Sequence, residues 1–451
     1  MTPRSDHRGG RPGSRGRTAL FLTALSMAAS IAACGSDPDT PSAPRTITVP
    51  GDAATIQAAV SKARPGDLVL VSAGRYTESV TISTPDITLR GTDRNAVVID
   101  GEGVRPQGVL VIADGVRVQN LTVTSHTFNG VLVTGLHDGN SASAHGVSGY
   151  EKLDPEKFPP IQRFAVNSVT ATNNGLYGLY AFNSQHGEIT DSYASGSADS
   201  GIYVGQCRGC DILVADNVAE RNAIGFENAN ASDSLVLTGN RFSGNRVGMT
   251  LISNYQEAFQ PQRSTTVAGN LISDNSGAQT PAQADGAFGL GIGVAGGQTN
   301  DIRANTVTGN PYAGLVLRGT EDISATGNTI THNTFGDNGV DIADVSSTRS
   351  PSSGNCLTDN RTQTVLPASL GSTACPATGP AAAGVPLTDL PQLQVPAGIS
   401  FLKVPLPPAQ PGLAGDPTAI PAPLPPAVAM PDLSGVTAPP AELLADRILT
   451  G

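Results

Sequence analysis

Short stretches of alternating apolar and polar residues recur along the middle of the chain, and each is followed by the same small motif. The stretches include Ile212-Leu213-Val214, Leu235-Val236-Leu237 and Ile323-Ser324-Ala325. The motif is Asn-x-apolar-x-x-Asn, as Asn217…Asn222, Asn240…Asn245, Asn270…Asn275, Asn305…Asn310 and Asn328…Asn333, with Ala219 in the first apolar slot. A second alternating stretch lies behind a glycine, as in Gly201-Ile202-Tyr203-Val204 and Gly314-Leu315-Val316-Leu317. Strict alternation is the mark of strands, and a fixed period is the mark of stacked repeats. The first Asn of each motif advances by 23, 30, 35 and 23 residues, so a 23-residue coil with insertions of 7 and 12 residues is expected. Three short strands per coil and no helix between them predict an all-β solenoid, the right-handed parallel β-helix. Stacked coils set equivalent residues ~4.8 Å apart, so the Asn amides can bond from coil to coil. The same residues also serve as turn formers that tolerate left-handed backbone.

Asp52 is a candidate N-cap for a helix over residues 53–63, whose Ile56, Ala59 and Val60 share one side and would cover the open first coil. The segments Pro50-Gly51-Asp52, Thr55-Ile56-Gln57-Ala58-Ala59-Val60, Pro65-Gly66-Asp67, Ala73-Gly74-Arg75-Tyr76 and Ile87-Thr88-Leu89-Arg90-Gly91 resemble the opening of pectin-lyase-like β-helix proteins. The run Asp199-Ser200-Gly201-Ile202-Tyr203-Val204-Gly205-Gln206, with Asn217…Asn222 and Glu227-Asn228, is similar to a bacterial subgroup of β-helix repeat proteins. The resemblance spans roughly residues 46–375 and implies the fold; a fold of this kind hosts many activities and fixes none.

Composition narrows the rest. Trp is absent, aromatics are 4% and charged residues 14%, against about 25% charged in an average domain. Four of the 27 basic residues are Lys and the net charge is −11. That balance excludes a nucleic-acid partner, which needs clustered Lys and Arg. Residues 1–33 hold Arg4, Arg8, Arg11, Arg15 and Arg17, then an apolar stretch from Ala19 to Ala33, so they read as a secretory signal. Ile31-Ala32-Ala33-Cys34 resembles a bacterial lipobox, which implies a lipidated Cys34 and a membrane partner through that anchor; the alternative is secretion with Cys34 incidental. Residues 34–45 read as a linker, 46–375 as the solenoid and 376–451 as a Pro-rich tail holding 17 of the 34 prolines. The tail either straps along the solenoid through Leu390, Leu393, Phe401 and Leu406 or hangs free, with a turn or two of helix over residues 441–449. For an exported chain, Cys207–Cys210 and Cys356–Cys375 are the expected disulfides. Redox or metal use of Cys207-Arg208-Gly209-Cys210 is the alternative.

Strand alternation assigns an outward column on the stretch behind the glycines: Leu132, Tyr180, Tyr203, Glu227, Thr250, Gly293 and Val316. Two Tyr beside a Glu suit a sugar, because an aromatic face offers apolar area with a polar edge. Tyr180, Tyr203, Gln206, Glu227 and Asn228 are therefore the candidate glycan-binding residues, and a solvated column without a task is the plain alternative. Catalytic residues do not emerge: Asp199 lies ~13 Å from Glu227 along the strand direction, outside the reach of a glycosidase pair. Lys is missing from residues 158–402, so no lysine base serves a lyase there. His126, His137, His145, His186 and His332 are too scattered to bind a metal, and no cofactor is expected. Insertions at residues 136–163 and 254–264 leave the same corner and are expected to bracket the column.

Overall fold

The computed structural model describes residues 43–138, 141–142, 154, 156–377 and 383–449. Among them the chain winds through three parallel sheets of 12, 10 and 11 strands. One coil shows the path: Ile212–Ala215 in the first sheet, Val218–Glu220 in the second, Ile224–Ser232 in the third, then Leu235–Thr238 back on the first. The return strand pairs in parallel with the one it follows, Ile212 opposite Leu235. Each coil so turns its alternate apolar residues into one continuous core, with Val214, Ala219, Phe226 and Leu237 all buried. Phe226 stacks on Phe242 with ring centroids 5.7 Å apart. The all-β right-handed parallel β-helix expected from the repeat is the fold.

The corners are held by asparagine ladders. At the corner between first and second sheets, the side-chain amide of Asn217 donates to Asn240, Asn240 to Asn270, Asn270 to Asn305, Asn305 to Asn333 and Asn333 to Asn360. A second ladder, Asn222 to Asn245, Asn275, Asn310 and Asn338, runs along the corner between second and third sheets. A third, Asn300 to Asn328 to Asn355, lies between third and first. This corrects the repeat count. Asn328 stacks on Asn300, so the coil after Asn305 is closed by Asn333, 28 residues on. The same motif fits more than one corner, and spacing alone cannot say which corner it occupies.

The first coil is capped as expected, with a shift. The helix is Ile56–Lys62, and Thr55, not Asp52, is its N-cap, accepting from the Ala58 amide. Glu78 takes the Ile56 and Gln57 amides. Asp52 instead bonds the amide and hydroxyl of Thr48, closing the preceding turn. At the other end Leu370, on the helix Ala368–Gly371, is buried against the last coil. Cys356 and Cys375 are joined there across 19 residues of sequence. Cys207 and Cys210 are joined in mid-stack.

The tail straps the solenoid in three passes. The first runs from Asp344, whose carbonyl takes the Val385 amide, down to Arg90, which donates to the Pro417 and Ala419 carbonyls. On the way Asn173 bonds the carbonyls of Phe401 and Val404, and Asn95 exchanges two bonds with Gln410. The second pass returns to Arg303 and Thr306, which hold the Leu433 and Pro439 carbonyls. The third ends at Glu220 and Arg221, which take both backbone groups of Leu449. A proline-rich chain leaves carbonyls without ladder partners, and arginines supply the donors. Of the expected contacts Leu390 is buried, whereas Leu406 is 70% exposed, because main-chain bonds rather than leucines set the path. The C-terminal helix reduces to one short turn, Ala445–Arg447.

Candidate functional site

The outward column stacks in the expected register: Leu132 pairs with Tyr180, Tyr180 with Tyr203, Tyr203 with Glu227 and Glu227 with Thr250. It is not an open, solvated surface. Tyr203 is 2% exposed and Tyr180 and Glu227 8% each. The cause is the inserted loops, which sequence alternation cannot see. Phe158 from one insertion and Ala258 and Phe259 from another pack on Leu132, Leu136, Tyr180, Phe182 and Tyr203 as a second apolar cluster outside the coil. Tyr177, one register row back, sets its ring 4.5 Å from Tyr180 and 4.7 Å from Tyr203, and Tyr180 meets Tyr203 edge-on at 4.8 Å.

Three corner residues in successive coils pin these loops. Asn183, Gln206 and Asn230 all adopt left-handed backbone, with φ of 51°, 52° and 52°. Asn183 donates to the Phe158 carbonyl, Gln206 accepts the Ala258 amide, and Asn230 exchanges bonds with both backbone groups of Asn254. Gln206 thus serves the face as a loop anchor. Asn228 points the other way: fully buried, it accepts the Ala231 amide and donates to Thr265 inside the corner. Its neighbour Glu227 faces out, so alternation itself turns Asn228 inward.

An acid cluster sits beside the tyrosines. Ser200 Oγ lies 2.5 Å from Glu227 Oε2 and 3.2 Å from Asp199 Oδ1. The expected 13 Å separation of these carboxyls is therefore wrong: the two oxygens that meet at Ser200 are no more than about 6 Å apart. Register explains it. Ser200 lies opposite Ile224, and the Glu227 side chain leans back along its strand to reach it. A serine hydroxyl has one proton, so it cannot serve both groups while both are carboxylates. Burial, followed by the Asp199 charge, pushes Glu227 well above the usual carboxylate range. Burial raises Asp199 to about 6, with the Ser200 bond opposing it and Asp285 adding to it. Glu257, on the 254–264 loop, accepts from the Tyr203 hydroxyl, and burial raises it to about 8. Its Oε2, and Thr250 Oγ1 in register with Glu227, are shut from solvent without a partner.

Asp199, Ser200, Glu257, Asp285 and Tyr177 were not among the sequence candidates. Asp285 belongs to the 12-residue insertion, which leaves from the opposite edge of the third sheet, between Leu271–Ser273 and Leu290–Ala295. That insertion and the Asp199-Ser200-Gly201 segment were the available signals. Cys34 lies outside the described residues, as does much of the 136–163 insertion. A cavity of about 480 Å³ beside that insertion is lined by Asp114, His137, Lys157, Phe158 and Gln162. The disulfide Cys207–Cys210 is buried just beyond Gln206.

Residues 86–259 match the family described as a right handed beta helix region, and residues 258–370 the family described as periplasmic copper-binding protein (NosD). With three parallel sheets wound coil on coil, the chain is a right-handed parallel β-helix protein. No curated protein matches it in sequence. Among solved structures, the A-module of a mannuronan C-5 epimerase from Azotobacter vinelandii shares 15% identity, covering 69% of this chain and 90% of that one, at a TM-score of 0.44. A pectate lyase shares 15%, covering 75% and 79%, at 0.41. A mannuronic acid specific family 6 polysaccharide lyase from human gut microbiota shares 12%, covering 74% and 85%, at 0.42. Copper does not fit the residues present. Among the described residues no group of three His, Cys, Asp or Glu could hold a metal. Within 258–370, Cys356 is spent in a disulfide, His332 pairs with Asp359 on the surface, and Met is absent.

Proposed function

We propose that this is an exported β-helix protein of the cell envelope, lipid-anchored through Cys34, that binds a glycan along the third sheet. The observation that carries the reading is convergence. Loops from both edges of the sheet meet on the coils that hold Tyr177, Tyr180, Tyr203, Asp199 and Glu227, while the tail covers the same sheet only further along, where Leu390 packs on Val316 and Ala343. Loops on a rigid solenoid are where function concentrates. Tyrosine rings beside carboxyls suit hydroxyl-rich rings, with apolar area under the sugar and acceptors at its edge. The disulfides support an oxidising compartment. A glycan array followed by calorimetry tests the reading: a hit should weaken at least about tenfold in Tyr177→Ala, and an array without hits removes it. Mass spectrometry of the mature N-terminus tests the anchor, since an unmodified terminus other than Cys34 excludes it.

The Ser200-bridged carboxyl pair favours a second reading, a carbohydrate-active enzyme. A carboxyl that keeps its proton beside one that ionises near pH 6 is the pairing acid–base cleavage needs. Product analysis on the array hits separates the two: cleaved or epimerised chains that vanish in Glu227→Gln mark an enzyme, and unchanged chains mark a binder.

A further inference from the structure

We infer that the glycan taken by this face is an amino sugar polymer, held through its ammonium groups at the Asp199–Ser200–Glu227 chain; this rests on the glycan-binding reading above. Glu227 lies in the field of three further carboxyl groups, nearest in effect Asp199, then Glu257 and Asp285. Among the described residues none of the four makes an ion pair. Among the arginines of neighbouring coils, Arg208 lies over the Phe259 ring, and Arg246 donates through Nε to Thr280 and lies over Phe288, its Nη2 buried without a partner. A uronate would bring a further negative charge to a pair, Asp199 and Glu227, whose ionised forms burial already disfavours. An ammonium reverses that balance. It donates up to three hydrogen bonds, and this pair has acceptors to spare, because a single Ser200 hydroxyl stands between two carboxyls.

The ammonium has a consequence that a neutral sugar lacks. Pairing with it favours the ionised carboxyl, so at neutral pH the proton held by the pair leaves to the buffer as the ligand arrives. Calorimetric titration of the full chain with oligomers of glucosamine, of N-acetylglucosamine and of mannuronate, in buffers of different ionisation heat, tests this. The glucosamine oligomer should bind at least about tenfold tighter than the other two. It should release about one proton per molecule, and lose that release in Glu227→Gln. Asp285 is exposed on its loop, so Asp285→Asn leaves the core intact, and it should weaken the glucosamine oligomer several-fold. Equal or tighter binding of mannuronate or N-acetylglucosamine, or binding without proton release, overturns the inference and leaves the glycan reading standing. Absence of binding by all three, with an empty array, removes both.

Discussion

Arg447 in the tail and Glu227 on the third sheet are both buried ionisable groups, and they are treated in opposite ways. Arg447 donates to the carbonyls of Asp216, Asp191 and Ser192 and to the Gln410 side chain, so each of its three nitrogens has an acceptor. Burial still lowers its pKa, with Asp191 opposing, yet each donor it uses has a fixed acceptor. Glu227 shares a single hydroxyl with Asp199 and has no counter-ion among the described residues. A matched buried charge fastens structure, and an unmatched one stores free energy that a ligand can release. The clamped side of the solenoid and the loop-covered side are thus distinguished by how completely their polar groups are satisfied.

The largest effect should come from breaking the frame shared by both sides. Asn270 joins two ladder steps and also donates to the Leu237 carbonyl. Asn270→Ala leaves those partners buried and unbonded, and should cost about 4 kcal/mol in urea unfolding. Next, Arg447→Met removes the matched charge. It should cost about 3 kcal/mol and raise amide exchange in residues 404–413 and 441–449 together, because Gln410 and Arg447 lock those passes to one another. A variant as stable as the parent would show that the strap is ornament. Removing Cys356–Cys375 opens a loop of 19 residues at the frayed end of the stack, where the last coil has one neighbour, and should cost about 3 kcal/mol at most. Removing Cys207–Cys210 should change the unfolding midpoint little, since it closes only three residues inside a stack already paired on both sides.

A further effect carries the opposite sign and sharpens the contrast most. Glu227→Gln gives Ser200 a donor and frees its hydroxyl for Asp199, so the variant should be more stable than the parent by about 1 kcal/mol at pH 8. Carboxyls raised in the folded state contribute stability that is complete below their ordinary pKa and is lost as pH rises through the raised one. For Asp199 and Glu257 that loss spans pH 4 to about 8. The gain from Glu227→Gln should therefore vanish near pH 4 and grow toward pH 8 in paired thermal melts. A gain independent of pH would mean that the pair holds no proton.

Alternation and spacing carried the fold a long way. Ile202, Val204 and Phe226 had to face one side and Tyr203 and Glu227 the other, and the Asn motifs had to lie at corners, because strand geometry leaves no third choice. The same rule would have removed Asn228 from the face had it been applied one residue further. What alternation could not give was the third dimension around the column. Whether Tyr203 is wet or dry depends on Phe259, 56 residues later, and on Gln206 catching Ala258. Which corner Asn328 occupies depends on Asn300, not on its own motif. Whether Asp199 and Glu227 meet depends on a side chain leaning along its strand toward Ser200. Period and face are local properties, written in neighbouring residues. Burial, shared protons and the course of a proline-rich tail are long-range properties, decided only when distant segments compete for the same surface and the same hydrogen-bond partners.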